Sequence, residues 1–149
     1  TSSGTSALCT CPNRKSASIL GLDGTTTSGF TLQYDATDNR WAFTMPTTDT
    51  TTPTQVRALS NAAPTTGTWT HLVGTYNATT HTLALYINGT LTGTATNTTP
   101  INATGTLAIG RGQTTAAPTD YFPGTLSNIA AWNYTLTPTQ ITALYQQVN

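Results

Sequence analysis

The chain has 149 residues, enough for one domain with a true core, and only 7% of them are charged, with a formal net charge of zero. Its only adjacent cations are Arg14-Lys15, so neither a phosphate-neutralising surface for nucleic acid nor an anionic-membrane contact is supported. No apolar stretch approaches the span of a bilayer, which argues against membrane insertion.

About a quarter of the residues are threonine. Threonine is β-branched and exposes a hydroxyl, so it suits strands and covers a surface without charge. Such a surface fits an extracellular or cell-surface setting. The opening TSSGTSAL has neither the basic head nor the apolar run of a secretory leader, and the expectation is a module whose leader has been removed.

Taken in chain order, Cys9 and Cys11 stand two apart and share one face of an extended segment. A disulfide between them would be strained, which leaves two readings open: small buried hydrophobes, or pairing with another chain. Asp23-Gly24 and Asp35-Ala36-Thr37-Asp38-Asn39 carry turn chemistry, the latter between two strands. Pro46 to Pro64 reads as a long mobile loop whose one strand-like patch is Val56-Arg57-Ala58-Leu59.

The strongest strand signals follow. TWTHLVGTYN (68–77) and HTLALYINGT (81–90) form a hairpin through Asn77-Ala78-Thr79-Thr80. Leu83, Leu85 and Ile87 alternate with Ala84 and Tyr86, and Asn88-Gly89 supplies the positive φ angles of a tight turn into a strand at 91–96. A short strand is expected at 106–110, a loop at 113–120, and another strand at 124–132 with Leu126, Ile129 and Trp132 as its large apolar groups. Thr137 caps a helix to Gln147, with Pro138 in its first turn and Gln140 completing a capping box. Its packing face is Ile141, Leu144 and Tyr145. The sum is an all-β, antiparallel two-sheet sandwich with one short C-terminal helix.

Catalytic apparatus is missing from this pattern. The chain has no Glu, and Asp23, Asp35, Asp38, Asp49 and Asp120 offer no strand-face pair of the kind that flanks a glycosidic bond. A Gly-x-Ser-x-Gly elbow is absent, and Gly110-Arg111-Gly112 lacks the spacing of a phosphate cradle. Cys9, Cys11, His71 and His81 total four zinc-type ligands, but pairing Tyr76 with His81 separates the two imidazoles by roughly 17 Å along the hairpin. Recognition falls to aromatic and polar side chains. Trp69 and Trp132 are expected in the core; Trp41 is core or rim, Tyr121 is the better exposed ring, and Arg111 either donates to a ligand or braces its glycines. Five Asn-x-Thr sequons, at Asn77, Asn88, Asn97, Asn102 and Asn133, are what chance gives in so threonine-rich a chain.

WTHLVGTYN, LALYINGTLTGTA, the Leu-Ala-Ile-Gly-Arg-Gly stretch at 107–112 and YFPGTLSNIAAWNYTLTPTQITALY together resemble the bacterial laminin-G-like, concanavalin A-like jelly-roll modules of secreted and surface proteins. SGFTLQYDATDNRWAFTM (28–45) is similar to that family's central hairpin, and Ser6-Ala7-Leu8 to an earlier strand. The resemblance implies a single domain over 1–149, one further strand before it, and hence a domain lacking its first strand or excised from a larger polypeptide. It also implies calcium held at the rim, with Asp23 and Asp120 as the ligands to test. Asn128 departs from the pattern where acidic residues are common. The function implied is a non-catalytic binding or adhesion module that recognises a glycan or partner protein through rim loops. The alternative is a structural subunit of a fibre, coat or particle that self-associates through an exposed sheet edge.

Overall fold

A computed structural model describes residues 2–10 and 15–148, with backbone alone at 8–10. Cys11 lies outside the described residues, as does the Cys9 side chain, so the cysteine readings concern atoms not described. Twelve strands and one helix follow in order among the described residues: β1 (Ser3–Thr10), β2 (Ala17–Asp23), β3 (Ser28–Asp35), β4 (Arg40–Pro46), β5 (Gln55–Leu59), β6 (Trp69–Asn77), β7 (Thr82–Ile87), β8 (Thr90–Thr96), β9 (Leu107–Ile109), β10 (Gly112–Thr114), β11 (Ala117–Thr119), β12 (Leu126–Trp132) and α1 (Pro138–Gln147). One sheet runs β12-β1-β6-β7-β8, the other β5-β4-β3-β2-β9, and β10-β11 forms a separate hairpin. The neighbouring strands of each sheet pair antiparallel.

Period-two alternation makes the sandwich. Phe30, Leu32 and Tyr34 of β3, Trp41, Phe43 and Met45 of β4, and Leu72, Tyr76, Leu83 and Leu85 of the β6–β7 pair meet in one interior cluster. Gly74 lies among them because a Cβ there would collide with the Phe43 ring, so the glycine sets how closely the sheets approach.

The outer faces of the two sheets differ. On the β6 side, Val73, Ala84 and Tyr86 point outward and are covered by Leu136 and Ile141, with Trp132 and Leu144 packed alongside. The helix that brings them is fixed by the expected capping box: Gln140 N donates to Thr137 Oγ1 at 3.3 Å, and Thr137 N donates to Gln140 Oε1 at 2.8 Å. Tyr145 stacks on His71 with ring centroids 5.8 Å apart. The other sheet carries no helix among the described residues.

Asn88 and Gly89 take φ of 50° and 78°, as a tight hairpin turn requires. The hairpin register differs by two residues from the expected one: Tyr76 faces Leu83, and Asn77 rather than Tyr76 opens the turn. The reason is local. Asn77 Oδ1 accepts from the amides of Thr79 and Thr80 at 2.9 and 3.1 Å, and His81 completes the turn at φ 56°. His71 and His81 still sit at opposite ends of the strand pair.

The strand-like patch expected at 56–59 is strand β5, paired along β4, whereas the loop expected at 113–120 is instead the β10–β11 hairpin, turning around Thr115 and Ala116 at φ 52° and 59°. The strand β2 has no counterpart in the sequence reading. A register shift between Ser18 and Leu20 buries both Ile19 and Leu20, which breaks the alternation by which a strand is recognised. Trp69 is 45% exposed, contrary to the core position expected; it shares parity with His71 and Val73, the outward set, at the strand's first residue.

Candidate functional site

The helix-free sheet face is a polar groove of about 420 Å³. Because Phe30, Leu32 and Tyr34 turn inward, Thr31, Gln33 and Asp35 of the same strand turn outward and form its floor. Thr44 from β4 and Arg57 from β5 flank them, and the β10 residue Gln113 with Asp120 makes one wall.

The floor is a connected array of hydroxyl and amide groups. Thr31 Oγ1 donates to Gln33 Oε1 at 3.1 Å, and Gln33 Nε2 donates to Thr44 Oγ1 at 3.4 Å. Arg57 Nη1 bonds Asp35 Oδ2 at 2.8 Å; Asp38 Oδ2 is as close, at 2.7 Å, but without hydrogen-bond geometry. Asp35 also accepts from the amides of Thr37 and Asp38 at 2.9 and 3.3 Å. The groove's one arginine among the described residues is thus neutralised by two carboxylates.

The wall carries the uncommitted polar atoms. Gln113 N donates to Ser28 Oγ at 2.8 Å, whereas its Oε1 is buried without a partner among the described residues. Asp120 adopts φ 51° and its carbonyl accepts from Ser18 N at 2.7 Å. Burial, and after it the charge of Asp35, raises the Asp120 carboxyl above the ordinary aspartate value. Its oxygens offer acceptors to a sugar hydroxyl.

The residues singled out in the sequence are distributed unequally around this groove. Asp120 lines it, whereas Tyr121, next in the chain and 66% exposed, is outside the groove's lining. Trp41 is 2% exposed, edge-on to Tyr34 in the core, so its ring faces are spent on packing. Arg111 forms a two-pronged ion pair with Asp23, 2.9 and 2.8 Å, which raises its basicity and ties the β9–β10 connection to the end of β2. Both Asp23 oxygens serve that guanidinium, and no group of three Asp, Glu, His or Cys side chains comes together among the described residues, so a calcium ion at Asp23 would have to displace Arg111. Gln33, Thr44, Gln113 and Arg57 were missed, and no local motif marks them; they converge only through the sheet register.

Among solved structures, the chain is similar to a native heptameric SAP-like pentraxin from Limulus polyphemus, with 19% identity and a TM-score of 0.74 over 97% of this chain and 69% of that one. It is also similar to the CBM40 of the Ruminococcus gnavus IT-sialidase bound to alpha2,3 sialyllactose, at 14% identity and a TM-score of 0.75, covering 97% and 82%. A Trypanosoma rangeli sialidase matches at 22% identity and a TM-score of 0.66, the chain spanning 22% of its length. At these identities the likeness is one of fold. No curated protein sequence matches the chain. A family model does, over residues 9–142, and with the sandwich and its closing helix in place the chain belongs to the laminin-G-like branch of the concanavalin A-like lectin/glucanases superfamily.

Proposed function

We propose that this chain is a non-catalytic, extracellular carbohydrate-binding module that takes a neutral glycan across the polar groove of the β5-β4-β3-β2 face. One observation carries the reading: the groove is surfaced by hydroxyl, amide and carboxyl groups, and its only cation among the described residues, Arg57, is already paired twice. Sugar hydroxyls pair with such groups, while an acidic sugar meets no free positive charge and two aspartates. Tyr121, exposed and next to Asp120 in the chain, offers a ring for stacking to a glycan that extends past the groove. The CBM40 and pentraxin likenesses support a binding role for the fold. Asp35 is committed to Arg57 and two amides, which leaves Asp120 without the free second carboxylate that hydrolysis requires.

A glycan array with and without calcium tests the reading. Selective binding to neutral glycans, unchanged by chelator and weakened by Gln33→Ala, is expected. Selective binding to sialylated glycans, or a signal that chelator abolishes, contradicts it. A second reading, self-association, is favoured by β12: it is the outermost strand of its sheet, its far edge without a strand partner among the described residues. Sedimentation separates the two, since open-ended assembly with a flat array supports the edge and a discrete monomer with saturable binding supports the groove.

A further inference from the structure

The sheet β12-β1-β6-β7-β8 and the helix on it carry no charged residue: none of the positions in these five strands or in α1 is Asp, Glu, Lys or Arg. His71 lies on β6, the middle strand, beneath the helix, and is 2% exposed. It is the one group of these elements that acid can turn positive.

Its surroundings fit a neutral ring. Tyr145, in the last turn of α1, stacks on it with centroids 5.8 Å apart and planes 26° from parallel. Ser6 Oγ lies 2.8 Å from Nε2, whereas Nδ1 is buried without a partner among the described residues. Asn88 Oδ1, from the neighbouring turn, is taken by the His71 backbone N–H at 2.9 Å. The other titratable groups on the covered face are the phenols of Tyr86 on β7 and Tyr145 on α1, and a phenol brings no negative charge in acid. A proton makes both ring nitrogens donors; one keeps Ser6, the other has no acceptor, and no carboxylate balances the charge. The Tyr145 ring face and the negative end of the helix dipole attract a cation, but weakly against the cost of burying an unpaired charge. Burial accordingly holds His71 below the ordinary 6.5.

Water reaches the ring when its cover lifts. A cavity of about 240 Å³ borders His71, and α1 supplies Leu144 and Gln147 to its lining. The cluster that holds the helix down, Val73, Ala84, Tyr86, Leu136 and Ile141, shares no residue with the interior cluster between the sheets. The helix is thus a separate unit of opening.

We propose that α1 is an acid-released cover: His71 takes its proton with the helix lifted, so falling pH frees α1 and bares Val73, Ala84 and Tyr86 while the sandwich stays folded. With α1 docked the imidazole resists the proton; with α1 lifted it takes one at the ordinary value. Docking is at full strength above pH 6.5 and weakens from there towards the docked value, about tenfold per pH unit for one proton.

Amide hydrogen exchange on the full chain, from pH 6.5 down to about pH 5, tests this, read as protection relative to the unfolded rate at each pH. The amides of Leu144 and Tyr145 should be less protected than those of Leu32 and Phe43, because the helix opens without the sandwich, and their protection should fall about tenfold per pH unit until the docked value is reached. In His71→Gln the difference should persist and the pH dependence vanish. Equal protection of helix and strand amides, helix protection that is flat with pH, or a pH dependence that survives in His71→Gln overturns the proposal. The first two comparisons are made on the unmodified chain and stand even where the variant folds poorly.

Discussion

The two outer faces of this sandwich obey the same alternation yet meet opposite fates. On β6 and β7 the outward residues are Val73, Ala84 and Tyr86, and a helix covers them; on β3 and β4 they are Thr31, Gln33, Asp35 and Thr44, and the face stays open. Burying apolar area holds the helix down, since its own propensity is too weak to keep a ten-residue segment folded alone. A hydroxyl-and-amide face offers no such gain and remains available to a ligand that replaces water bond for bond. One face therefore bears stability, and the other is free for the function proposed above.

Breaking the covered face should have the largest effect. Ile141 is fully buried at the centre of the helix contact, and Ile141→Ala is expected to cost about 2–5 kcal/mol in chemical denaturation. Removing the cap at Thr137 acts on the same element less strongly; Thr137→Ala should cost about 1 kcal/mol, with helix signal lost before strand signal on heating.

Acid weakens the fold through two groups, while Asp120, whose carboxyl is raised, acts in the opposite sense. His71 is buried beside Tyr145, its Nε2 2.8 Å from Ser6 Oγ, and burial holds it below the ordinary 6.5. Stability is therefore full above pH 6.5 and falls as pH drops from there towards the folded value, because the unfolded chain takes a proton that the folded one resists. Asp49 accepts from the amides of Thr25, Thr26 and Thr27 at 2.6, 2.7 and 2.9 Å and lies below the ordinary 3.8, chiefly through the Thr27 bond. Its contribution is present above pH 3.8 and is lost as pH falls through the lower folded value. Denaturation curves across the acid range should show two declines, the upper missing in His71→Gln and the lower in Asp49→Asn.

Much of this was legible in the chain. The β6–β7 pair, the Asn88-Gly89 turn and the Thr137 box are local signals, each satisfied by residues within a few positions. What escaped depends on distance or disguise. The register shift beside Ile19 hides β2, and β5 shows only as a strand-like patch because an edge strand needs few apolar residues. Trp69 was misplaced because bulk alone does not fix which side of a strand faces the core. The groove was least legible: Ser18, Gln33, Thr44, Arg57 and Gln113 come from five strands and are ordinary residues until the register aligns them. Asp120 was found for a different chemistry, as a metal ligand.

The smallest stability effect sharpens the comparison most. Gln33 bonds only neighbouring hydroxyls on the open face, so Gln33→Ala should alter stability by no more than about 0.5 kcal/mol while weakening glycan binding.

The most direct measurement is chemical-shift mapping of a neutral oligosaccharide, chosen as the strongest hit on the array, onto the labelled chain. Perturbations concentrated at Thr31, Gln33, Thr44, Gln113 and Asp120, with the amides of α1 unmoved, are the predicted result. Perturbations confined to α1 or to the free edge of β12 would contradict the assignment of function to the open face.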